Sequence, residues 1–510
     1  MRPAASPCST PPSSHSARRP ICIRLVPFVV AIALSIVGGC STNPATGEPE
    51  LVLMDAADEA EIGAAAHPRI VEAYGGVYGD AQLAAYVEHV VAKIAKVSAQ
   101  PDLEYRVTVL DSPVVNAFAL PGGYVYVTRG LISLANDEAE LASVIAHEIG
   151  HVNARHVARR QTATVGASIF GALIGTVLGN TAVDRIVAMG TEGLLAGYSR
   201  EQEREADKLA VAYLTGAGYD PYAARDFLDT MNAYAAFQAH LAGTSYDPQQ
   251  VGWLSSHPAT GERISETAAG AARAAQASPA SQRGRMAYLE AIDGLLYGRA
   301  EAHGYVRDRS FIHVPDRYRF TVPDGFYLAA GSGAVWALGP DKTVVKFDAG
   351  EVGLDADVVA YLVDDWASDL ALRDVRSFEV NGMAAASART RLQGLNTLVV
   401  AIKTDDGKVY RFLAGVPPQA GEQYEEPLWT MVRSFRRLTP AEAAATGPLR
   451  ISIAAVAAGS TVDDFAQRMA LRLEAEKRFR VINGMGSEAT LDSKDRVKLI
   501  VEDRPARAPR

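Results

Sequence analysis

Cysteine is almost missing from this chain. Cys8, Cys22 and Cys40 are the only three in 510 residues, and all lie within the first 40. Beyond them the sequence has no means of forming a disulfide, a cysteine nucleophile or a cysteine-ligated metal site. Positive charge is also short: 50 Lys and Arg face 59 Asp and Glu, for a formal net charge of -9. No basic cluster rises above that acidic background, so nucleic acid is excluded as a partner. Long apolar runs are scarce. Leu25 to Val37 is too short to span a bilayer comfortably, and Thr162 to Val183 lacks charge but carries many polar side chains and glycines. No tandem repeat of the 20–50-residue kind is visible, which excludes a solenoid. What remains is ordinary globular material, 48% hydrophobic and 21% charged, long enough for about three domains.

The N-terminal stretch reads as a targeting segment. Arg18 and Arg19 precede the Leu25–Val37 run, and Val37-Gly38-Gly39-Cys40 places small residues ahead of a cysteine. This resembles a bacterial lipoprotein signal over 1–39, which implies cleavage before Cys40 and acyl chains on its thiol, tethering the chain to a membrane without a span. Ser41, rather than Asp, follows the cysteine. By the same resemblance the expected place is the bacterial cell envelope, at the outer membrane facing the periplasm.

Downstream, residues 40–56 are rich in Pro, Asn and Gly and read as a tether. Ala57 to Ala99 is helical in pattern, with an interruption at Tyr74 to Gly79. Tyr105 to Leu110 and Gly123 to Thr128 alternate as strands around the turn-rich Asn116-Ala-Phe-Ala-Leu-Pro-Gly-Gly123. A long helix is expected to start at Asn136 or Asp137 and to run past Arg155, and a second covers about Arg200 to Thr215. Residues 268–304 read as a helical linker. The texture then changes to short strands and two helical stretches, Val358 to Leu372 and Pro427 to Arg436, giving an α+β domain over 305–440 without a chemical motif. The last unit, 450–503, reads strand, helix, helix, strand.

The chemistry lies in His147-Glu148-Ile149-Gly150-His151, inside the long helix. With 3.6 residues per turn, His147 and His151 share a face and can hold one metal ion, with Glu148 beside them. Ala142, Val144, Ile145, Ala146 and Ile149 make the surroundings apolar, which argues for a buried site over a helix with surface histidines. A zinc ion that keeps one position open needs a third protein ligand, and cysteine is unavailable. Glu203 and Asp207, four apart in Tyr198-Ser-Arg-Glu-Gln-Glu203-Arg-Glu-Ala-Asp207, share a helix face. One can bind metal while the other orients a ligand histidine through its remaining ring nitrogen.

Taken together, Asp137-Glu-Ala-Glu-Leu, the His-Glu-Ile-Gly-His pentad, Tyr-Ser-Arg and Glu-x-x-Ala-Asp resemble the HtpX and CAAX-prenyl-protease family of zinc endopeptidases, over roughly Ala57 to Ala268. The resemblance implies an α+β fold: a mostly helical gluzincin-type metalloprotease domain with a small sheet over 57–267, here followed by the α+β domain and the small βααβ unit. It implies one zinc ion held by His147, His151 and Glu203, with Glu148 as catalytic base and Asp207 as the carboxylate orienting a ligand. Asn116, Ala117 and Phe118 match the stretch before an active-site edge strand, which would bind extended peptide by strand addition. His257-Pro-Ala-Thr-Gly-Glu-Arg263-Ile resembles a segment of periplasmic members, in which the histidine reaches the zinc as a displaceable fourth ligand. Arg263 is expected either to stabilise the oxyanion, as a catalytic residue, or to fix that loop. His67, His89, His156, His240, His303 and His313 have no partner pattern and read as structural or surface residues.

The uncharged Thr162 to Val183 segment is expected as a helical cover over the site rather than a membrane helix. The 450–503 unit, with Gly459-Ser-Thr-Val462, Asn483-Gly484 and Val497-Lys-Leu-Ile500, resembles a degenerate LysM domain, which implies peptidoglycan as a further partner; Ser460 and Ser493-Lys-Asp495 depart from the usual pattern. Three functions are consistent with the sequence. The leading one is a lipid-tethered metalloendopeptidase acting on misfolded or unassembled envelope proteins. The others are a chaperone or assembly factor for outer-membrane proteins whose zinc is masked by His257, and a cell-wall-binding scaffold.

Overall fold

The computed structural model describes residues 40–52, 54–162, 197–243, 253–278, 281–330, 334–491 and 495–503. The signal expected over 1–39 and the cover expected at Thr162 to Val183, its first residue apart, lie outside the described residues, as do Ser493 and Lys494.

The chain enters not as a loose tether but as a hairpin. β1 (Cys40–Thr42) pairs antiparallel with β2 (Pro49–Leu51). The turn is closed by Asn43, whose Oδ1 accepts Ala45 N–H at 2.9 Å and whose Nδ2 donates to Glu50. Buried Val52 and Met54 then anchor the segment in a core shared with Ile62, Ile70, Leu120 and Tyr126. The expectation at 40–56 gave weight to Pro and Asn and too little to those two apolar side chains.

Two helices follow, α1 (Ala56–Ala73) and α2 (Ala81–Ala95), each started by an aspartate, Asp55 and Asp80, whose side chain accepts backbone N–H groups of the first turn. The small sheet consists of β3 (Arg106–Leu110), β4 (Ala117–Leu120) and β5 (Tyr124–Thr128) in the order β3-β5-β4, with β3 parallel and β4 antiparallel to β5. The β4–β5 turn uses Gly122 and Gly123, both at positive φ. A Cβ on Gly123 would fall 2.4 Å from Glu104 O, so glycine is required there.

From β5 the chain passes through the short α3 (Arg129–Leu134) into α4 (Glu138–Asn153), capped by Asp137 and buried along nearly its whole length. α4 stops earlier than expected. Arg155 takes a left-handed conformation, φ 51°, and turns the chain back at the helix end. Beyond the undescribed stretch, α5 (Arg200–Gly216) starts on a Ser199–Gln202 capping box and packs along α4. Gly150 permits the approach: a Cβ there would sit 3.3 Å from Leu209 Cβ and 3.4 Å from Ala206 Cα. α6 (Tyr222–Leu241), the single turn α7 (Trp253–Ser256) and α8 (Gly261–Ala277) complete the helical layer.

The 305–440 region has its own aromatic core, with Phe311, Phe320, Phe347, Phe412 and Phe435 among its members. It carries a seven-stranded and a four-stranded antiparallel sheet. The helix expected over Val358 to Leu372 is helical only to Trp366, and strand begins at Arg373.

The last unit has the expected strand, helix, helix, strand order, but it returns to the first core. Phe465, Phe479, Ile482, Val497 and Leu499 lie in the same apolar cluster as the residues of α4. Its first strand, Leu449–Ala455, also pairs with Leu296–Tyr297. Fully buried Lys498 donates through Nζ to the carbonyls of Ser133, Leu134 and Ala135, capping the C-terminal end of α3. No described helix is long and apolar enough to cross a membrane. As a whole the chain is a mixed helix-and-sheet protein whose first large domain is mostly helical.

Candidate metal centre

α4 and α5 cross where Gly150 faces Ala206, and that crossing brings His147, His151 and Glu203 together. The α7–α8 connection adds His257. One donor atom from each of these four buried residues lies within 4.8 Å of every other. His147 Nε2 is 2.9 Å from His151 Nε2 and 3.3 Å from His257 Nδ1, and His257 Nδ1 is 2.9 Å from Glu203 Oε1. His151 Nε2 is 3.5 Å from the same oxygen. A tetrahedral ion with ligands about 2.0–2.1 Å away spaces them about 3.3 Å apart, within the observed range.

The outward-facing nitrogens fix the tautomers. His147 Nδ1 lies 3.0 Å from Asp207 Oδ1 and donates to it. His151 Nδ1 is 2.7 Å from His156 Nδ1, and His156 Nε2 is 3.1 Å from Glu205 Oε2, which also accepts Arg159. With protons on those outer nitrogens, the Nε2 lone pairs of His147 and His151 face each other at 2.9 Å. Two facing lone pairs repel, and a cation between them removes the repulsion: a proton on His147 in the metal-free site, or a metal ion in its place. The buried Glu203 Oε2 adds to this: it is 2.8 Å from Arg263 Nη1 yet lacks an aligned hydrogen bond. Imidazole nitrogens and a carboxylate converging on one point fit a zinc ion.

The charges around this group are balanced internally. Burial disfavours charge on His147, yet Asp207 and Glu203 override it and push its pKa up to about 9. Burial and the neighbouring His147 hold His151 well below the usual histidine range. Burial opposes ionisation of Glu203, but His257 and His147 keep its carboxyl well below the ordinary value. Asp207 likewise stays low against burial because Arg263 donates to both its oxygens at 2.8 Å.

Glu148 is buried and accepts Trp253 Nε1–H at 3.0 Å, while His257 Nε2 is 3.7 Å from the same oxygen. Trp253 stacks on His257 with ring centroids 4.7 Å apart, and Tyr198 stacks on His151 at 3.8 Å. Arg263 turns its guanidinium to Asp207, Glu203 and Pro258 O. Through Pro258 O it also ties down the loop that carries His257. The Asn116–Phe118 stretch, expected to precede an edge strand, instead enters one: Ala117 and Phe118 belong to β4 at the sheet edge, β5 after it is central, and both side chains are buried, Phe118 stacking on Tyr126. Asn116 reaches Tyr74 instead.

His156, Glu205 and Trp253 were not legible as site residues. His156 lies off the ligand face by helical spacing, and only the left-handed Arg155 swings it back onto His151. Glu205 sits about 200° round the helix from Glu203, so helical spacing gave no signal for it.

Residues 81–270 match the family described as Peptidase family M48. The chain is 33% identical over 195 residues to the mitochondrial metalloendopeptidase OMA1 of Schizosaccharomyces pombe, covering 37% of this chain and 54% of that one. It is 30% identical over 247 residues to a putative beta-barrel assembly-enhancing protease of Vibrio cholerae, covering 46% and 47%. With the beta-barrel assembly-enhancing protease of Escherichia coli it shares 27% over 197 residues, covering 37% and 38%. The chain thus spans about half or less of the length of these relatives.

Proposed function

We propose that this chain, with its peptidase family M48 match over 81–270, is a zinc metalloendopeptidase that cleaves misfolded or unassembled envelope proteins. The observation that carries the reading is the buried His147, His151, Glu203 and His257 group with Glu148 beside it. These residues hold the ion, which when bound supplies Lewis acidity and a water acidic enough to act near neutral pH. Glu148 is the proton acceptor for that water and the proton donor to the leaving amine, and Trp253 Nε1–H holds its Oε1 in place. Asp207 and His156 keep the two α4 histidines with Nε2 inward. The main-chain edge of β4 takes an extended substrate segment.

Cys40 is the proposed site of acylation, and the outer membrane is the proposed location. Both rest on the signal-like pattern and on the naming of two relatives as beta-barrel assembly-enhancing proteases. Peptidoglycan binding by 450–503 rests on the resemblance to a LysM domain alone, and that unit is packed into the core of the helical domain.

Casein cleavage by the purified full chain tests the main reading. Wild type is expected to cleave in a zinc-dependent way, and Glu148→Gln to lose at least about a thousandfold of that rate while binding one zinc by elemental analysis. Undiminished turnover by Glu148→Gln would sink the assignment.

A second reading follows from His257. A fourth protein donor closes the set, as in sites that keep no open position. The chain would then rest in a latent form and serve as an assembly factor. His257→Ala is expected to raise cleavage several-fold if the histidine masks the ion, and an unchanged rate would remove the latent form.

A further inference from the structure

Where the helical domain, the 305–440 region and the last unit meet, there is a cavity of about 460 Å³. Four arginines line it: Arg129 from α3, Arg299 and Arg307 from the entry to the middle region, and Arg478 from the last unit. This is a concentration of positive charge in a chain of net charge -9. Arg129 is 1% exposed and Arg478 8%.

Internal acids do not match these cations. Arg129 pairs with Asp111, and Arg307 has Glu502 at 3.8 Å. Among the described residues, Arg299 and Arg478 have no carboxylate at ion-pair distance. Asp308 is the one acid in the lining, and its two oxygens are taken by the backbone N–H groups of Arg472 and Leu473. Each arginine also keeps one buried nitrogen without a hydrogen-bond partner: Arg129 Nη2, Arg299 Nη1, Arg307 Nε and Arg478 Nε. A buried donor without an acceptor is costly, and four at one cavity are conspicuous. Burial also draws the Arg129, Arg299 and Arg307 pKa values down from the usual arginine range.

Most of the remaining lining is apolar or aromatic, including Leu134, Leu449, Leu471, Tyr234 and Tyr327, with Ser133 and Gln238 as its uncharged polar side chains. The volume is several times that of a bare oxyanion and lies within the range of small-molecule sites.

We propose that this cavity binds a small anionic amphiphile, a phosphate or carboxylate group seated among Arg129, Arg299, Arg307 and Arg478 with a short apolar body against the leucine and tyrosine wall. The site is separate from the metal centre but close to it along the chain. Val115 lines the cavity, and its carbonyl accepts the backbone N–H of Trp253, the residue that holds Glu148.

The test uses the full chain carrying Glu148→Gln, so that the outcome does not depend on proteolysis. Calorimetry and thermal unfolding are run with octyl phosphate, inorganic phosphate and octyltrimethylammonium. Octyl phosphate is expected to bind and raise Tm by several degrees, inorganic phosphate to bind at least tenfold more weakly, and the cation not to bind. Arg299→Gln and Arg478→Gln should each weaken octyl phosphate at least tenfold. Ala239→Trp, which fills the cavity and keeps all four arginines, should abolish binding while its own Tm reports an intact fold. Equal affinity for inorganic phosphate would overturn the apolar half and leave a free anion as the ligand. Binding of the ammonium amphiphile, or undiminished binding by the arginine variants and Ala239→Trp, would overturn the site.

Discussion

Arg263, which is buried, and two arginines of the cavity, buried Arg478 and half-buried Arg299, are treated in opposite ways. Arg263 meets Asp207 through two hydrogen bonds, Glu203 at 2.8 Å and the carbonyl of Pro258. Its charge is spent on orienting two acids and one loop, and through Asp207 it sets the ring of His147. Arg299 and Arg478 have no such acids among the described residues, and each retains a buried nitrogen without an acceptor. A buried charge closed by internal partners positions other side chains. One left open by them is matched to something from outside the chain. That difference separates a site built to hold a cation from one built to hold an anion, about one core apart.

Removing the cation should separate the two regions most sharply. Arg263→Met leaves Asp207 and Glu203 buried without their counter-charge and is expected to cost about 3–5 kcal/mol, read as a lowered urea midpoint of the zinc-depleted protein. Arg299→Met removes a half-buried cation without a carboxylate and should cost less than about 1 kcal/mol, or stabilise slightly. Equal losses in the two variants would mean that both regions are closed internally and would remove the reason for expecting an anion at the cavity.

A smaller effect is expected one step further from the ion. Asp207→Asn keeps the size of the side chain but weakens the acceptor for His147 Nδ1–H. Zinc affinity should fall about 10–100-fold by competition with a chelating dye. His156→Ala acts on His151 in the same way, at the lower end of that range, with no change in the affinity of the cavity for octyl phosphate. A loss confined to Asp207→Asn would show that the His151–His156–Glu205 chain is a packing contact only.

How much of this was legible before the structure depended on the kind of spacing involved. His147, Glu148 and His151 lie on one helix, and Glu203 and Asp207 on another, so helical periodicity alone put His147 with His151, and Glu203 with Asp207, on common faces. Gly150 and Ala206 then determine that the two faces meet, and small residues at a crossing carry little signal in a single sequence. His156 depends on one left-handed residue, and Trp253 on a single helical turn after an undescribed stretch; neither leaves a periodic trace. In the last unit the strand and helix order was readable from its own residues. That it joins the core of the helical domain, with Lys498 capping α3, is a contact across more than 360 positions, which no local pattern encodes.

The smallest expected effect concerns a third region, in which acids outnumber the cation. Arg283 reaches Asp137, Asp220 and Asp226 within 3.2 Å, and Glu140 lies 3.7 Å away. Burial first, and Asp137 second, raise the Glu140 pKa to about 7 against the pull of Asn136 and Arg283. A carboxyl whose folded pKa is raised favours the protonated fold. Its contribution is therefore complete below the ordinary carboxylate range near 4.5 and is lost as pH rises through 7. Glu140→Gln keeps an acceptor for Asn136 and carries no charge, so it should match wild-type stability at pH 5 and exceed it at pH 8, by on the order of 1–2 kcal/mol. Urea unfolding at the two pH values reads this directly. A variant less stable than wild type at pH 8 would show that Arg283 already satisfies the charge on Glu140, and that this region is balanced in the manner of Arg263 rather than left with an excess of one sign.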